Sequence, residues 1–261
     1  MAARTHIGML LFPGMTQLDF TGPYEVLARL PEAAVHVVAT ARDPVPTERG
    51  LMLTPTTTYG TCPRLDVIVV PGGPGTLELM QDDAVLDFLR REAGHAKYVT
   101  SVCTGAFVLG AAGLLTGYRA TTHWLSLPLL GLVGAVPVDE RIVIDGNRIT
   151  GGGVTAGIDF ALAIAAALHG EAVAQQIQLQ IEYEPAPPFR SGSPRTAPAP
   201  VVKASIAAAR ELQERRTRIC RTVAERLLDP LSTGSKTTRT AEPPWGSRAP
   251  PDAPESIPPP Q

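Results

Sequence analysis

Cysteine is scarce in this chain: three in 261 residues, Cys62, Cys103 and Cys220. So sparse and odd a set argues against a disulfide framework and for free thiols in a reducing, cytoplasmic compartment. Neither C-x-x-C nor H-E-x-x-H spacing occurs, so no metal site is expected. No apolar run approaches the ~20 residues that span a bilayer, so no membrane association is expected. The amino end, MAARTHIGMLLFPG, has no small-residue cleavage site and reads as a first strand rather than a secretion signal. An excess of positive charge is missing as well. The formal net charge is -2, which gives no broad basic surface for nucleic acid or anionic lipid. What the chain does have is apolar sequence, 44% against 18% charged, enough to bury the core of one large α/β domain or two small ones.

Apolar β-rich runs alternate with helical patterns. Strands are expected at His6–Phe12, Val35–Ala39, Asp66–Pro71 and Tyr98–Val102, and helices at Gly22–Arg29, Ala84–Ala93 and Gly105–Leu115. Strands this apolar, alternating with helices, indicate a parallel sheet covered on both faces. Ile142–Ile144 and Arg148–Thr150 flank Asp145-Gly146-Asn147 and read as a β-hairpin. Helices are expected again at Thr155–Leu168 and Glu171–Ile181. The segment EPAPPFRSGSPRTAPAP that follows is too rich in proline for regular structure. A last, charge-alternating helix covers Lys203–Leu228, placed to pack on the back of the domain or on another subunit. From Asp229 to Gln261 there are nine prolines and almost no aliphatic residues. That composition cannot offset its ordering entropy, so a single domain over 1–228 and a disordered Pro-rich tail over 229–261 are expected.

Ligands of parallel α/β sheets sit beyond the carboxyl ends of the strands. Two stretches fall there. In KYVTSVCTGAFVLGAAGLLTG (Lys97–Gly117), Cys103 ends a strand and precedes a helix that starts at Gly105. A thiol in the first helical turn meets free N–H groups and the positive end of the helix dipole, which lower its pKa and favour the nucleophilic thiolate. A tight strand-to-helix turn also lifts the side chain out of the sheet. The plainer reading is a packed core cysteine. Cys62, beside Pro63 in a turn, and Cys220, on the last helix, read as structural. The second stretch is PGGPG (Pro71–Gly75), where Gly72 and Gly73 let backbone N–H groups approach a ligand closely, or simply make a turn. A nucleophile needs a proton partner. Asp19, in QLDFTGPYEVL, is either that partner or a helix cap near Thr21. His123, in RATTHW, is either a base or a core histidine bonded to backbone. No G-x-S-x-G is present.

GMLLFPGMTQLDFTGPYEVL, DVIVVPGGPGTLELM, YVTSVCTGAFVLGAAGLLTGYRATTHW and TGGGVTAGIDFALAIAA resemble the PfpI/ThiJ superfamily, relatives of class I glutamine amidotransferase domains. IEYEPAPPFRSGSPRTAP narrows the resemblance to its isocyanide hydratase branch. The resemblance spans roughly His6 to Leu228. It implies a flavodoxin-like three-layer α/β sandwich, with a mostly parallel central sheet and a nucleophile elbow. It implies a homodimer without cofactor, acting on a small-molecule isocyanide. It assigns Cys103 as nucleophile, Asp19 as its carboxylate partner and Thr104 as a hydroxyl needed for turnover. Oxyanion-type N–H groups would come from Gly73 and Thr104. The glyoxalase-like and chaperone relatives carry glutamate where this chain has Asp19. The peptidase-like relatives carry histidine where it has Thr104, which argues against amide hydrolysis by a Cys-His pair. A glyoxalase-like activity, a cysteine redox sensor and the ligand-binding half of an AraC-type regulator lacking its DNA-binding part remain as other readings.

Overall fold

The computed structural model describes residues 4–228, so the Pro-rich segment from Asp229 onward lies outside the described residues. The chain opens with β1 (Thr5–Leu10), α1 (Gln17–Leu27) and β2 (Ala33–Ala39). A small hairpin, β3 (Val45–Pro46) and β4 (Met52–Leu53), precedes β5 (Thr57–Thr58). Then come β6 (Val67–Val70), a single helical turn α2 (Thr76–Leu79), α3 (Asp83–Ala93), β7 (Tyr98–Val102) and α4 (Gly105–Ala111). Next are β8 (Arg119–Ala120), a 3-10 segment (Trp124–Val133), β9 (Val136–Pro137), β10 (Ile142–Asp145) and β11 (Arg148–Gly151). The helices α5 (Ala156–His169), α6 (Glu171–Gln180) and α7 (Ala199–Leu228) close the chain.

The main sheet has seven strands in the order β10-β11-β7-β6-β1-β2-β5. Every neighbouring pair in it is parallel except the β10–β11 hairpin. β6 shows why the middle strands are so apolar: all four residues of Val67-Ile68-Val69-Val70 are buried, as a strand covered on both faces requires. α1 packs on α5, and α5 on α6. Across the sheet, α4 packs on α3, on the 3-10 segment and on α7. The fold is thus an α/β sandwich of the flavodoxin-like kind, its mostly parallel sheet flanked by helices. The strand order reverses between β1 and β6: the chain runs outward from β1 to β2, then crosses back. A crevice at the carboxyl ends beside such a reversal is where open α/β sheets hold ligands.

Three helix boundaries differ from the sequence expectation. α1 begins at Gln17, five residues before Gly22, because Gly22 and Pro23 sit inside the helix and only look like a stop. α4 ends at Ala111 rather than running to Leu115, since the backbone turns left-handed at Gly113 (φ 78°). α7 begins at Ala199, with Pro200 in its first turn, where a missing N–H costs nothing. Among the described residues, no helix is long and apolar enough to cross a membrane.

Gly105 lets α4 start tight against the end of β6. A Cβ there would lie 2.0 Å from the Val70 carbonyl oxygen and 2.7 Å from that of Pro71. Neither backbone oxygen can move without disturbing the sheet. Gly105→Ala is therefore expected to lower the unfolding free energy by about 1–3 kcal/mol or more. Urea denaturation with an unchanged midpoint would contradict so close a contact.

Candidate active site

Three chain segments meet at the carboxyl ends of the central strands: the first turn of α1, the β6–α2 joint and the β7–α4 joint. Cys103 occupies the last of these with φ 54°, a left-handed conformation uncommon for a residue with a Cβ. Its backbone is tied on both sides. The Cys103 N–H is shared between the carbonyls of Gly151 and Gly152, at 3.0 and 2.9 Å. Its own carbonyl accepts the Thr122 hydroxyl at 2.7 Å. These bonds hold a turn that sterics alone would not choose, and they place the thiol at the head of α4, 5% exposed.

Asp19 is not a helix cap. Thr16 holds that position, and Asp19 lies in the first turn of α1, fully buried. Its Oδ2 accepts the Gly72 N–H at 2.9 Å. Its Oδ1 is buried and accepts from no N–H or O–H group. The acid that faces the carboxyl is the Cys103 thiol. Gly72 makes this meeting possible: a Cβ on it would lie 2.6 Å from Asp19 Oδ2, 2.6 Å from Thr104 N and 2.8 Å from the Cys103 Cβ.

The electrostatics follow from burial. Desolvation raises Asp19 from 3.8 to about 7, partly offset by hydrogen bonds from the Cys103 thiol and the Gly72 N–H. Burial also pushes the Cys103 thiol up, and the neighbouring Asp19 charge pushes it further. The N–H groups of Thr104 and Val154 oppose that rise. The lowering expected from the helix start is therefore outweighed, because the thiol shares its dry setting with a carboxylate. Above about pH 7 the two groups hold one proton between them, and their titration belongs to the pair.

The remaining expected residues are placed as follows. Thr104 is buried, and its Oγ1 accepts the Gly73 N–H at 2.9 Å and contacts the Gly73 carbonyl at 3.3 Å. The Gly73 N–H, expected to face a developing oxyanion, is thus engaged by the Thr104 hydroxyl. Gly72 likewise spends its N–H on Asp19. His123 caps the 3-10 segment, its Nδ1 accepting the Leu125 N–H at 3.4 Å. Burial, then the Arg216 charge, lower its pKa, so it is a neutral imidazole bonded to backbone. Cys62 is half-buried and Cys220 is buried in the core; both thiols are free and pushed up by burial. Among the described residues no cluster of three metal-ligating side chains exists.

Val154 and Thr122 were missed by sequence reasoning. Val154 follows Gly151-Gly152-Gly153, and that glycine run was the available signal for a backbone N–H near the sulfur. Thr122 lies one residue before His123 and carried no signal of its own.

Linkage gives a test of the Asp19 environment. Its folded value, about 7, lies above its unfolded 3.8, so the folded protein binds this proton more tightly. The resulting stability is fully present below pH 4 and is lost as pH rises through 7. Asp19→Asn removes that loss. Its stability relative to wild type is expected to rise between pH 4 and pH 8 by up to ~4 kcal/mol. Urea melts at pH 4, 6 and 8 read this directly, and parallel stability curves for the two proteins would refute the burial argument.

Comparison with known proteins agrees with this geometry. The DJ-1/PfpI family profile matches residues 5–167. The chain is 57% identical over 221 residues to an isonitrile hydratase of Pseudomonas putida, covering 85% of this chain and 97% of that protein. It is 33% identical over 137 residues to the HTH-type transcriptional regulator GbdR of Pseudomonas aeruginosa, covering 52% of this chain but 37% of the regulator. A crystal structure of a ThiJ/PfpI family protein from Pseudomonas syringae superposes with a TM-score of 0.82 at 45% identity, over 84% of this chain and 91% of that one. With the parallel sheet, the elbow and the family profile all in agreement, the chain belongs to the DJ-1/PfpI family.

Proposed function

We propose that this protein hydrates an isocyanide to an N-substituted formamide, with Cys103 as the nucleophile. The observation that carries the reading is the buried Asp19 carboxyl and the buried Cys103 side chain brought together across Gly72. Similarity to the Pseudomonas putida isonitrile hydratase over nearly its full length supplies the substrate class.

The reaction would run as follows. Asp19 takes the thiol proton as the Cys103 sulfur attacks the terminal carbon of R–N≡C. The S–C bond forms, and Asp19 returns the proton to that carbon, leaving the thioimidate R–N=CH–S–Cys103. Asp19, again a carboxylate, takes a proton from water as the water oxygen adds to the same carbon. It passes that proton to nitrogen, giving R–NH–CH(OH)–S–Cys103. Asp19 then accepts the hydroxyl proton, the C–S bond breaks and R–NH–CHO departs. The pair regains its single proton. The N–H groups of Thr104 and Val154, which face the sulfur, favour it as an anion. Thr104, bonded to Gly73, would present its hydroxyl where water adds. Gly72 would hold the carboxylate orientation through its N–H. His123, neutral and bonded to backbone, takes no proton in this scheme. No cofactor is required.

A second reading, a ligand-binding half of a transcription regulator, draws on the match to GbdR. That match reaches little more than a third of the regulator's length, against 97% of the hydratase. The hydratase reading is therefore preferred. Free cysteines are compatible with a cytoplasmic setting. We also propose a homodimer. Its support is that four of the exposed large apolar side chains among the described residues, Leu179, Phe189, Val201 and Ile206, lie on the α6–α7 segment.

Formamide production from an aromatic isocyanide, followed by chromatography, tests the chemistry. Cys103→Ala is expected to abolish it, and Asp19→Asn to reduce it by about 10²-fold or more. Wild-type turnover in either folded variant sinks the scheme. Protonating both groups of the pair removes the nucleophile, so kcat/KM should rise with pH through about 7. A flat profile from pH 5 to 9 would contradict that. For the dimer, light scattering should give twice the chain mass, and Val201→Glu with Ile206→Glu should halve it.

A further inference from the structure

The joint between β11 and α5 contains three glycines in a row, Gly151-Gly152-Gly153. Glycine has the widest backbone freedom of any residue, so such a run does not hold its own shape. The site needs it held. The Gly151 and Gly152 carbonyls share the Cys103 N–H, and the N–H of Val154, the next residue along, bonds to the Cys103 sulfur. A joint free to drift would release the left-handed turn at Cys103 and lose that donor.

Arg141, the residue before β10, spans the joint. Its carbonyl accepts the Gly152 N–H at 2.8 Å, which carries the β10–β11 ladder one step past Gly151. Its side chain reaches the first turn of α5, where Nε lies 2.9 Å and Nη2 2.5 Å from Asp159 Oδ2. Nη2 also lies 3.5 Å from the Thr155 hydroxyl. One residue thus grips the chain on both sides of Gly153. The same Asp159 oxygen accepts the Tyr183 hydroxyl at 2.9 Å. Tyr183 follows α6, and the backbone just before it is left-handed at Glu182 (φ 51°), uncommon for a residue with a Cβ. Further along the same Pro-rich connection, Arg195 pairs with Asp139, two residues before Arg141. The Arg141 side chain is 52% exposed, and an ion pair that open contributes little to stability. What the cluster contributes is placement.

We propose that Arg141 is a positioning residue for the nucleophile: braced on Asp159 and seated there by Tyr183, it fixes the triglycine joint that holds the Cys103 backbone and presents the Val154 N–H to sulfur. It acts through that joint and not on the substrate. A donor fixed before the reaction begins avoids reorganisation as sulfur becomes the attacking atom. The start of the Pro-rich connection after α6 is then part of the site's support and not merely a link between helices. This inference rests on Cys103 being the nucleophile. The charged groups around the brace are Asp159, the Arg195–Asp139 pair, Glu140 and Glu182, while His123, packed on Gly153, is neutral. On the thiol itself the acting charge is Asp19, and Glu48 acts on Asp19 in turn.

The test uses the pH dependence of Cys103 alkylation by iodoacetamide, followed by intact mass and needing no isocyanide. In the wild-type chain alkylation should map to Cys103 and vanish in Cys103→Ala. A Cys103 that stays inert while another cysteine reacts overturns the nucleophile reading, and this inference with it. Given Cys103 alkylation, Tyr183→Phe removes one hydroxyl and no charge, so any shift it causes comes from placement and not from a lost Coulomb term. It is expected to move the midpoint upward by about 0.5 pH unit and to lower kcat about fivefold, with KM within about twofold of wild type. Arg141→Met should move the midpoint and kcat further in the same directions. Asp159→Asn, which keeps an acceptor oxygen, should lie closer to wild type than Asp159→Ala. A folded Arg141→Met or Tyr183→Phe protein with the wild-type midpoint overturns the inference and leaves the nucleophile reading standing. If Arg141→Met does not fold, Tyr183→Phe decides by the same criterion.

Discussion

At Gly72 the backbone leaving β6 passes so close to Asp19, Cys103 and Thr104 that no side chain of any kind fits between them. The rest of the site depends on that contact. It brings a carboxyl from the first helix and a thiol from the β7–α4 joint into one dry space, although 84 residues of chain separate them. It turns the Gly72 N–H onto the carboxylate, so that Asp19 keeps one orientation. It also sets Gly73 against Thr104, whose hydroxyl is held by the Gly73 N–H. The parallel sheet supplies the two adjacent strand ends, with Val70 of β6 in register with Ser101 of β7. Small residues at both joints then let those ends close up.

Two opposing effects act on the sulfur. The start of a helix and the N–H groups of Thr104 and Val154 favour an anion there. Burial and the Asp19 charge disfavour it, and burial is the larger. The outcome is a thiol that is not simply acidic but coupled to a carboxyl that is itself reluctant to ionise. Such a pair suits a reaction that must deliver a proton to carbon and later accept one from water. A single low-pKa thiolate would attack readily but would have no matched acid at hand.

Much of the fold was legible in the sequence because it rests on local pattern. Val67–Val70 and Tyr98–Val102 read as buried strands from their apolar runs. α3 read as a helix from its amphipathic spacing, and Asp82 caps it as such a start requires. The Asp145–Arg148 hairpin announced itself through Asp-Gly. The start of α1 did not, because Gly22 and Pro23 mimic a break that the helix absorbs. In the site, Cys103 was visible from the strand-to-helix joint. Local sequence left Asp19 poised between cap and partner, since the deciding contact is with Gly72, 53 residues away. Thr104 entered through family resemblance. Val154 stayed hidden for the same reason as the Gly72 contact: its meaning comes from which elements pack together, and no local period encodes it. The glycines gave the reverse difficulty. Their position at a strand end was clear, while the commitment of their N–H groups to Asp19 and Thr104 was not.

The left-handed backbone at Cys103 carries a further consequence. A residue with a Cβ costs roughly 1–2 kcal/mol in that conformation, and glycine avoids the cost. A chain selected for stability alone would place glycine at position 103. Holding a cysteine there instead means the protein gives up part of its folding margin at the residue proposed as its nucleophile. Any attempt to harden this protein by glycine substitution will find position 103 among its most inviting targets, and on the proposed chemistry would silence the molecule by accepting it.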